Sequence, residues 1–213
     1  KLKKVFKDFK PEIVFHLAAQ PLVQRSFKEP RLTYETNIMG TINVIEAAIK
    51  CGLVKSFINV TSDKVYENNS WLWGYRENDL LNGSDPYSNS KSCADLIAQS
   101  YRKNFLDKTF NLANVRSGNV IGGGDWSENR LVPDMIRSLI KKKIFVIRNP
   151  QAIRPWQHVF EPLYGYIILA EMMYKKKNFE GEWNFGPDNI QNANVKEVSQ
   201  KFCRFWNSKV EIS

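Results

Sequence analysis

The chain has 213 residues and a formal net charge of +9, and 43% of its residues are apolar. That length fits one large domain or a domain and a half. No apolar run reaches the ~20 residues of a membrane helix, and the three scattered cysteines suit a reducing cytosol rather than a disulfide framework.

The start, "KLKKVFKDFK", is basic and amphipathic but has no apolar signal-peptide core. "EIVFHLAA" (Glu12–Ala19) is a nearly continuous apolar run, as expected of a strand buried on both faces. Arg31–Gly52 carries Ile38, Ile42, Ile45 and Ile49 at helical spacing and ends on a glycine suited to the C′ position. "KSFINVTS" is the next strand, Asp85–Phe105 a helix with an Asp-Pro start, and "TFNLANVRSGNV" a third strand. Beyond Gly124 the pattern gives a helix within "DWSENRLVPDMIRSLIKKK", a strand "IFVIRN" and a helix "VFEPLYGYIILAEMMYKKK". A strand "GEWNFGP" and a helix "NVKEVSQKFCRFW" follow. Alternating strands and helices predict an α/β fold. The expected form is part of a Rossmann-like, doubly wound parallel sheet over residues 1–124, with a smaller α/β substrate-binding region over 125–213.

The densest basic clusters, "KLKK", "IKKKI" and "YKKK", lie at the chain start or near helix ends, where cations suit the helix dipole. They read as solvated surface, so nucleic acid and membrane are not expected partners, and a small diphosphate ligand fits the charge equally well. His16 and His158 are far apart and there is no C-x-x-C, so no metal is expected.

Tyr87 and Lys91 in "PYSNSK" are four residues apart, which places both on one helix face with Cβ atoms about 5–6 Å apart. An adjacent ammonium favours the phenolate, making the pair a candidate base for a sugar hydroxyl. One crossover earlier, a strand ends in Thr61 and Ser62, followed by Asp63 and Lys64. Ligands of open parallel sheets bind outside the carboxyl ends of the strands, so both stretches can face one crevice. Ala18 and Ala19 allow either a dinucleotide or plain close packing beside them. Asp63 and Lys64 suit either proton transfer or a surface turn.

A hydroxyl, a Tyr and a Lys in this order resemble the site of the short-chain dehydrogenase/reductase superfamily. "FHLAAQPLVQRS" and "TNIMGT" are similar to its extended branch, which works on nucleotide sugars. "TSDKVYEN", "WLWGYRENDLLNGSDPYSNSK", "RSGNVIGGGDWSENRLVPD" and "RNPQAIRPWQHVFEPLYGY" narrow this further. Together, from about Pro11 to Pro187, they resemble the CDP-glucose 4,6-dehydratases.

The resemblance implies NAD as cofactor and CDP-glucose as substrate. It implies oxidation at C4, loss of water across C5 and C6, and reduction at C6. It assigns catalysis to Ser62, Asp63, Lys64, Tyr87 and Lys91, with Asp63 the acid and Lys64 the base. Contacts to NAD would come from Leu17, Ala18, Ala19, Gln20, Thr61, Tyr87 and Lys91. Substrate contacts would come from Arg25, Ser26, Asn119, Asn129, Arg130, Leu131 and Arg154, with Arg154 on the diphosphate. Trp156 and His158 either shape that pocket or pack in the core. The resemblance further implies a homodimer or higher homo-oligomer through helices Arg31–Gly52 and Asp85–Phe105, a cytoplasmic location, and dideoxyhexose synthesis for lipopolysaccharide O-antigen.

The superfamily's glycine-rich fingerprint, G-x-G-x-x-G, does not occur in these residues. The expectation is therefore a portion of a dehydratase, poorly stable and inactive as an isolated chain.

Overall fold

The computed structural model describes residues 1–107, 109–175, 178–187 and 193–206. Its helices are α1 (Leu2–Phe9), α2 (Val23–Lys28), α3 (Pro30–Tyr34), α4 (Gly40–Cys51), α5 (Pro86–Asn104), α6 (Leu131–Ile140), α7 (Phe160–Lys175) and α8 (Val195–Phe205). Its strands are β1 (Ile13–His16), β2 (Ser56–Val60), β3 (Asn111–Ser117), β4 (Val120–Ile121), β5 (Ile153–Arg154), β6 (Gln157–His158), β7 (Gly181–Phe185) and β8 (Ala193–Asn194). Among the described residues no helix is long and apolar enough to cross a membrane.

The residues form two compact units. The first holds Lys1–Ser117 and Pro162–Phe185; the second holds Gly118–Glu161 and Gly186–Ser213. This differs from a single linear division at 124/125, because the chain returns to the first unit for nearly all of α7 and for β7.

The first unit is a four-stranded parallel sheet in the order β1-β2-β3-β7. Parallel strands need covered faces, and successive side chains point to opposite faces. Phe57 and Leu112, paired in register, pack with Phe6 of α1, Ile45 and Ala48 of α4 and Ala98 of α5. Ile58 and Val115 point the other way, onto Tyr166, Leu169 and Met173 of α7. Helices thus cover both faces of β2 and β3, as a doubly wound sheet requires, whereas β1, expected to be buried on both faces, leaves Ile13 and Phe15 exposed because it ends the strand order and α7 packs on β2 and β3. The first face also carries a polar row, His16, Asn59, Asn114 and Arg116, all buried. That row leads to the carboxyl ends of the strands.

The predicted helix Arg31–Gly52 is three pieces. A π-helical turn, Glu35–Met39, separates α3 from α4, and Gly52 closes α4 at φ 69°. Buried Asn37 explains the turn: its amide is held by the backbone of Gln20 and by Ser90, so the helix widens to aim it.

The second unit pairs β4 with β6 in parallel and β5 with β8 antiparallel. Met135, Phe145 and Ile147 form its core, joined by Leu131, Val195 and Phe202. The strand expected at Ile144–Asn149 is not among the described strands. Phe145 and Ile147 are buried while Val146 and Arg148 are exposed, so the segment alternates as a strand would. The segment packs as an extended loop instead. Asn194 and Glu197 form a reciprocal capping box that starts α8.

Candidate active site

Helix α5 is aimed by its first turn. Pro86 occupies an early position, and the Asp85 carboxylate accepts from the backbone N–H groups of Tyr87 and Ser88, both at 3.0 Å. The Tyr87 N–H also reaches Ser26 Oγ at 3.1 Å. Ser26 is fully buried and donates to Val23 O, so its hydroxyl anchors the start of α5. Arg25 is half-exposed and pairs with Glu29 at 3.0 Å.

One turn beyond Tyr87, Lys91 is 7% exposed. Its Nζ donates to Val60 O, the last carbonyl of β2, at 2.9 Å. Burial lowers its pKa to about 8, and Asp95 opposes that fall. Beyond Val60 the chain runs extended through Thr61 and Ser62, then makes one 3-10 turn, Asp63–Val65. Ser62 Oγ accepts from Lys64 N–H at 3.2 Å and donates to Asp63 Oδ1 at 3.1 Å. Thr61 and Ser62 are buried, Asp63 half-buried and Lys64 exposed. The structure therefore brings Tyr87 and Lys91 onto one helix, with the Lys91 ammonium at the end of β2. Thr61 to Lys64 follow directly from that strand.

Behind this end lies a network that the sequence reading missed. Asp95, wholly buried, accepts from Arg116 Nε (2.9 Å), Arg116 Nη2 (2.8 Å), Asn114 Nδ2 (3.0 Å), Gln99 Nε2 (3.0 Å) and Thr61 Oγ1 (2.9 Å). Burial alone would disfavour the Arg116 charge, but its bonds to Asp95 outweigh that and raise its pKa. Arg116 also donates to Tyr66 Oη and Glu77 O. Two signals were available: Asp95 stands one turn after Lys91, and Arg116 interrupts the apolar run "NLANV".

Four expected cofactor positions precede α2. Leu17 and Ala18 are exposed and Ala19 half-buried. Gln20 is buried, with its backbone N–H on Asn37 Oδ1 and its side chain on Leu22 and Thr33. His16 is buried too. Thr41 donates its hydroxyl to Asn37 O, so at 3.1 Å it accepts from His16 Nε2–H. Burial, then the Lys91 charge, lowers the His16 pKa to about 4, so the ring is neutral at pH 7.

A nicotinamide cofactor fits this strand end on one observation. An ammonium has three donors, and among the described residues only Val60 takes one from buried Lys91. The remaining donors suit ribose hydroxyls.

The second unit has its own pocket, with a volume of about 260 Å³. Asn119, Asn129, Leu131 and Arg154 line it, and so do Asp134, Arg148 and Trp156. Arg130 is not among its lining residues and stands 3.7 Å from Asp125. Asn129 adopts φ 62°, a left-handed conformation Asn tolerates. Gly118 packs so closely on Pro155 that a Cβ would sit 2.3 Å from its Cγ. Trp156 donates its indole N–H to Ala193 O. His158 is exposed on β6 and is not among the lining residues.

The family described as NAD dependent epimerase/dehydratase matches residues 1–186. The chain is 48% identical over 213 residues to the CDP-glucose 4,6-dehydratase of Salmonella typhimurium, covering 97% of this chain and 59% of that protein. It is 34% identical over 206 residues to the dTDP-D-glucose 4,6-dehydratase of Dictyostelium discoideum, covering 91% and 45%. It thus spans less than two thirds of either relative. The UDP-glucose 4-epimerase of Thermus thermophilus, solved in complex with NAD, shares the fold at a TM-score of 0.86 and 20% identity, covering 100% of this chain and 67% of that one. A dTDP-glucose 4,6-dehydratase from Streptomyces venezuelae, solved with NAD and TYD, does so at 0.84 and 20%, covering 100% and 63%.

Proposed function

This chain belongs to the NAD dependent epimerase/dehydratase family, and from that premise we propose that it carries the catalytic residues of a CDP-glucose 4,6-dehydratase. The observation that carries this reading is the 48% identity to the Salmonella typhimurium enzyme over 97% of the chain. Lys91 at the end of β2, one turn from Tyr87, supports it.

NAD, when bound, accepts hydride from C4 of the sugar and returns it to C6. Tyr87 withdraws the proton of the C4 hydroxyl. Lys91, one turn away, holds the ribose and keeps positive charge beside the phenol. Oxidation at C4 makes the C5 hydrogen acidic. Asp63 and Lys64 then divide the elimination: Lys64 takes the C5 proton and Asp63 protonates the departing C6 hydroxyl, and Lys64 returns its proton to C5 as C6 is reduced. Ser62 donates to Asp63 Oδ1 and so fixes the carboxylate beside the strand end. Thr61 is fixed by Asp95 and holds the strand end in place. The nucleotide end is assigned to the pocket lined by Asn119, Asn129, Leu131 and Arg154. There a guanidinium fork suits diphosphate oxygens.

The test is product formation from CDP-glucose and from dTDP-glucose, using the whole reading frame with added NAD. A 4-keto-6-deoxy product from CDP-glucose alone is expected. No product from either, with the protein folded and NAD bound, would overturn the reading.

A further inference from the structure

The pocket of the second unit holds a charge of the wrong sign for a simple diphosphate cradle. Arg148 and Arg154 line it and suit phosphate, but the Asp134 carboxylate lines it too and would repel phosphate. Asp134 is held in place from one side. Arg137 donates to Asp134 Oδ1 and is itself fixed on Trp126 O at 2.8 Å and Ser127 O at 3.0 Å. Asp134 Oδ2 accepts nothing from the described residues. A fixed anionic acceptor in a ligand pocket selects a donor on the ligand.

Pyrimidines differ at one edge position in this respect. Cytosine carries an amino group at C4, which donates; uracil and thymine carry a carbonyl oxygen there, which only accepts. We propose that Asp134 is the residue that selects the base, accepting a hydrogen bond from the 4-amino group of cytosine and repelling O4 of uracil or thymine. This rests on the reading of the pocket as the nucleotide site. It adds the preference for cytidine, which the motifs left to resemblance. A hydrogen bond to a charged group corresponds to roughly 10- to 100-fold in affinity.

The experiment is calorimetric binding of nucleoside diphosphates to the protein from its whole reading frame, with no turnover required. The probes are CDP, UDP, and the diphosphate of the pyrimidin-2-one nucleoside, which is cytidine without its 4-amino group. Asp134→Asn is measured beside the natural protein, with thermal melting as the check on folding. The expected result is CDP tighter than both other probes by about 10- to 100-fold, with the preference reduced in Asp134→Asn, whose neutral amide is a weaker acceptor and can also donate to O4. Equal binding of CDP and the 4-desamino probe would overturn the proposal even if Asp134→Asn fails to fold. So would a preference for UDP, in which N3–H would be the group donating to Asp134. A CDP preference undiminished in Asp134→Asn would remove Asp134 from the role while sparing the nucleotide site. Failure of all three probes to bind would overturn the nucleotide reading itself, and this proposal with it.

Discussion

Two regions of this chain hold charge in opposite ways. At the carboxyl end of β2, Lys91, Asp95 and Arg116 are buried, and both Asp95 oxygens are engaged by the protein. In the second unit's pocket, Arg148 and Arg154 are exposed and Asp134 Oδ2 accepts nothing from the described residues. The first region is set before anything binds, as transition-state stabilisation needs, because groups fixed in advance require no reorganisation during reaction. The second, on the proposed reading, would be completed by its nucleotide. Mutations in the first should therefore strike stability and turnover, and mutations in the second should strike affinity.

The largest effect expected is on stability, from Arg116→Met. It leaves the Asp95 carboxylate buried without its cation, a loss of about 3–5 kcal/mol, read by chemical denaturation. Adding Asp95→Leu should recover part of it. A loss under about 1 kcal/mol would mean that the network does not hold this end of the sheet, against the usual cost of breaking a buried pair.

Tyr87→Phe keeps the ring and removes the proton acceptor. Turnover should fall by roughly 10²–10⁴ with little change in melting temperature. If turnover survives, Tyr87 is not the base.

Acid should expose the buried row next. His16 has a folded pKa of about 4 against 6.5 unfolded. Between those values the unfolded chain binds more protons, so stability falls as pH drops from 6.5 to 4, by up to about 3 kcal/mol. His16→Asn should flatten that part of the curve. Lys91 acts at the other end. Its folded pKa of about 8 lies below the usual 10.5, so the cost of burying its charge is relieved as pH rises from 8 towards 10.5.

The smallest effect on the fold belongs to Arg154→Ala. Its guanidinium is exposed, so stability should change by no more than about 0.5 kcal/mol. Nucleotide affinity should weaken by roughly 10- to 100-fold, measured by calorimetry. A large stability loss there would erase the contrast between the two regions.

Much of the frame was legible because strands covered on both faces are rich in apolar and β-branched residues, even where an Asn is buried among them. "SFINV" and "NLANV" are β2 and β3, and Asp85-Pro86 marks the start of α5. The same logic placed the proposed site residues on their elements: Thr61 and Ser62 follow the end of β2, and Tyr87 and Lys91 stand one turn apart on α5. What was not legible depends on partners distant in sequence. Asn37 widens a helix because Gln20 and Ser90 meet it, and no local pattern announces that. Phe145 and Ile147 alternate like a strand, but alternation alone records burial and not a ladder. The return of α7 and β7 to the first unit depends on register: Trp183 lies opposite Val115 on β3.

The most direct test of the central claim follows a label. CDP-glucose deuterated at C4 is incubated with the protein from its whole reading frame and NAD, and the product is read by NMR. If Tyr87 and Lys91 serve a 4,6-dehydratase, the deuterium appears at C6 of a 4-keto-6-deoxy sugar, with no net reduction of NAD. Deuterium retained at C4 of an epimerised sugar, or accumulation of reduced cofactor, would contradict it.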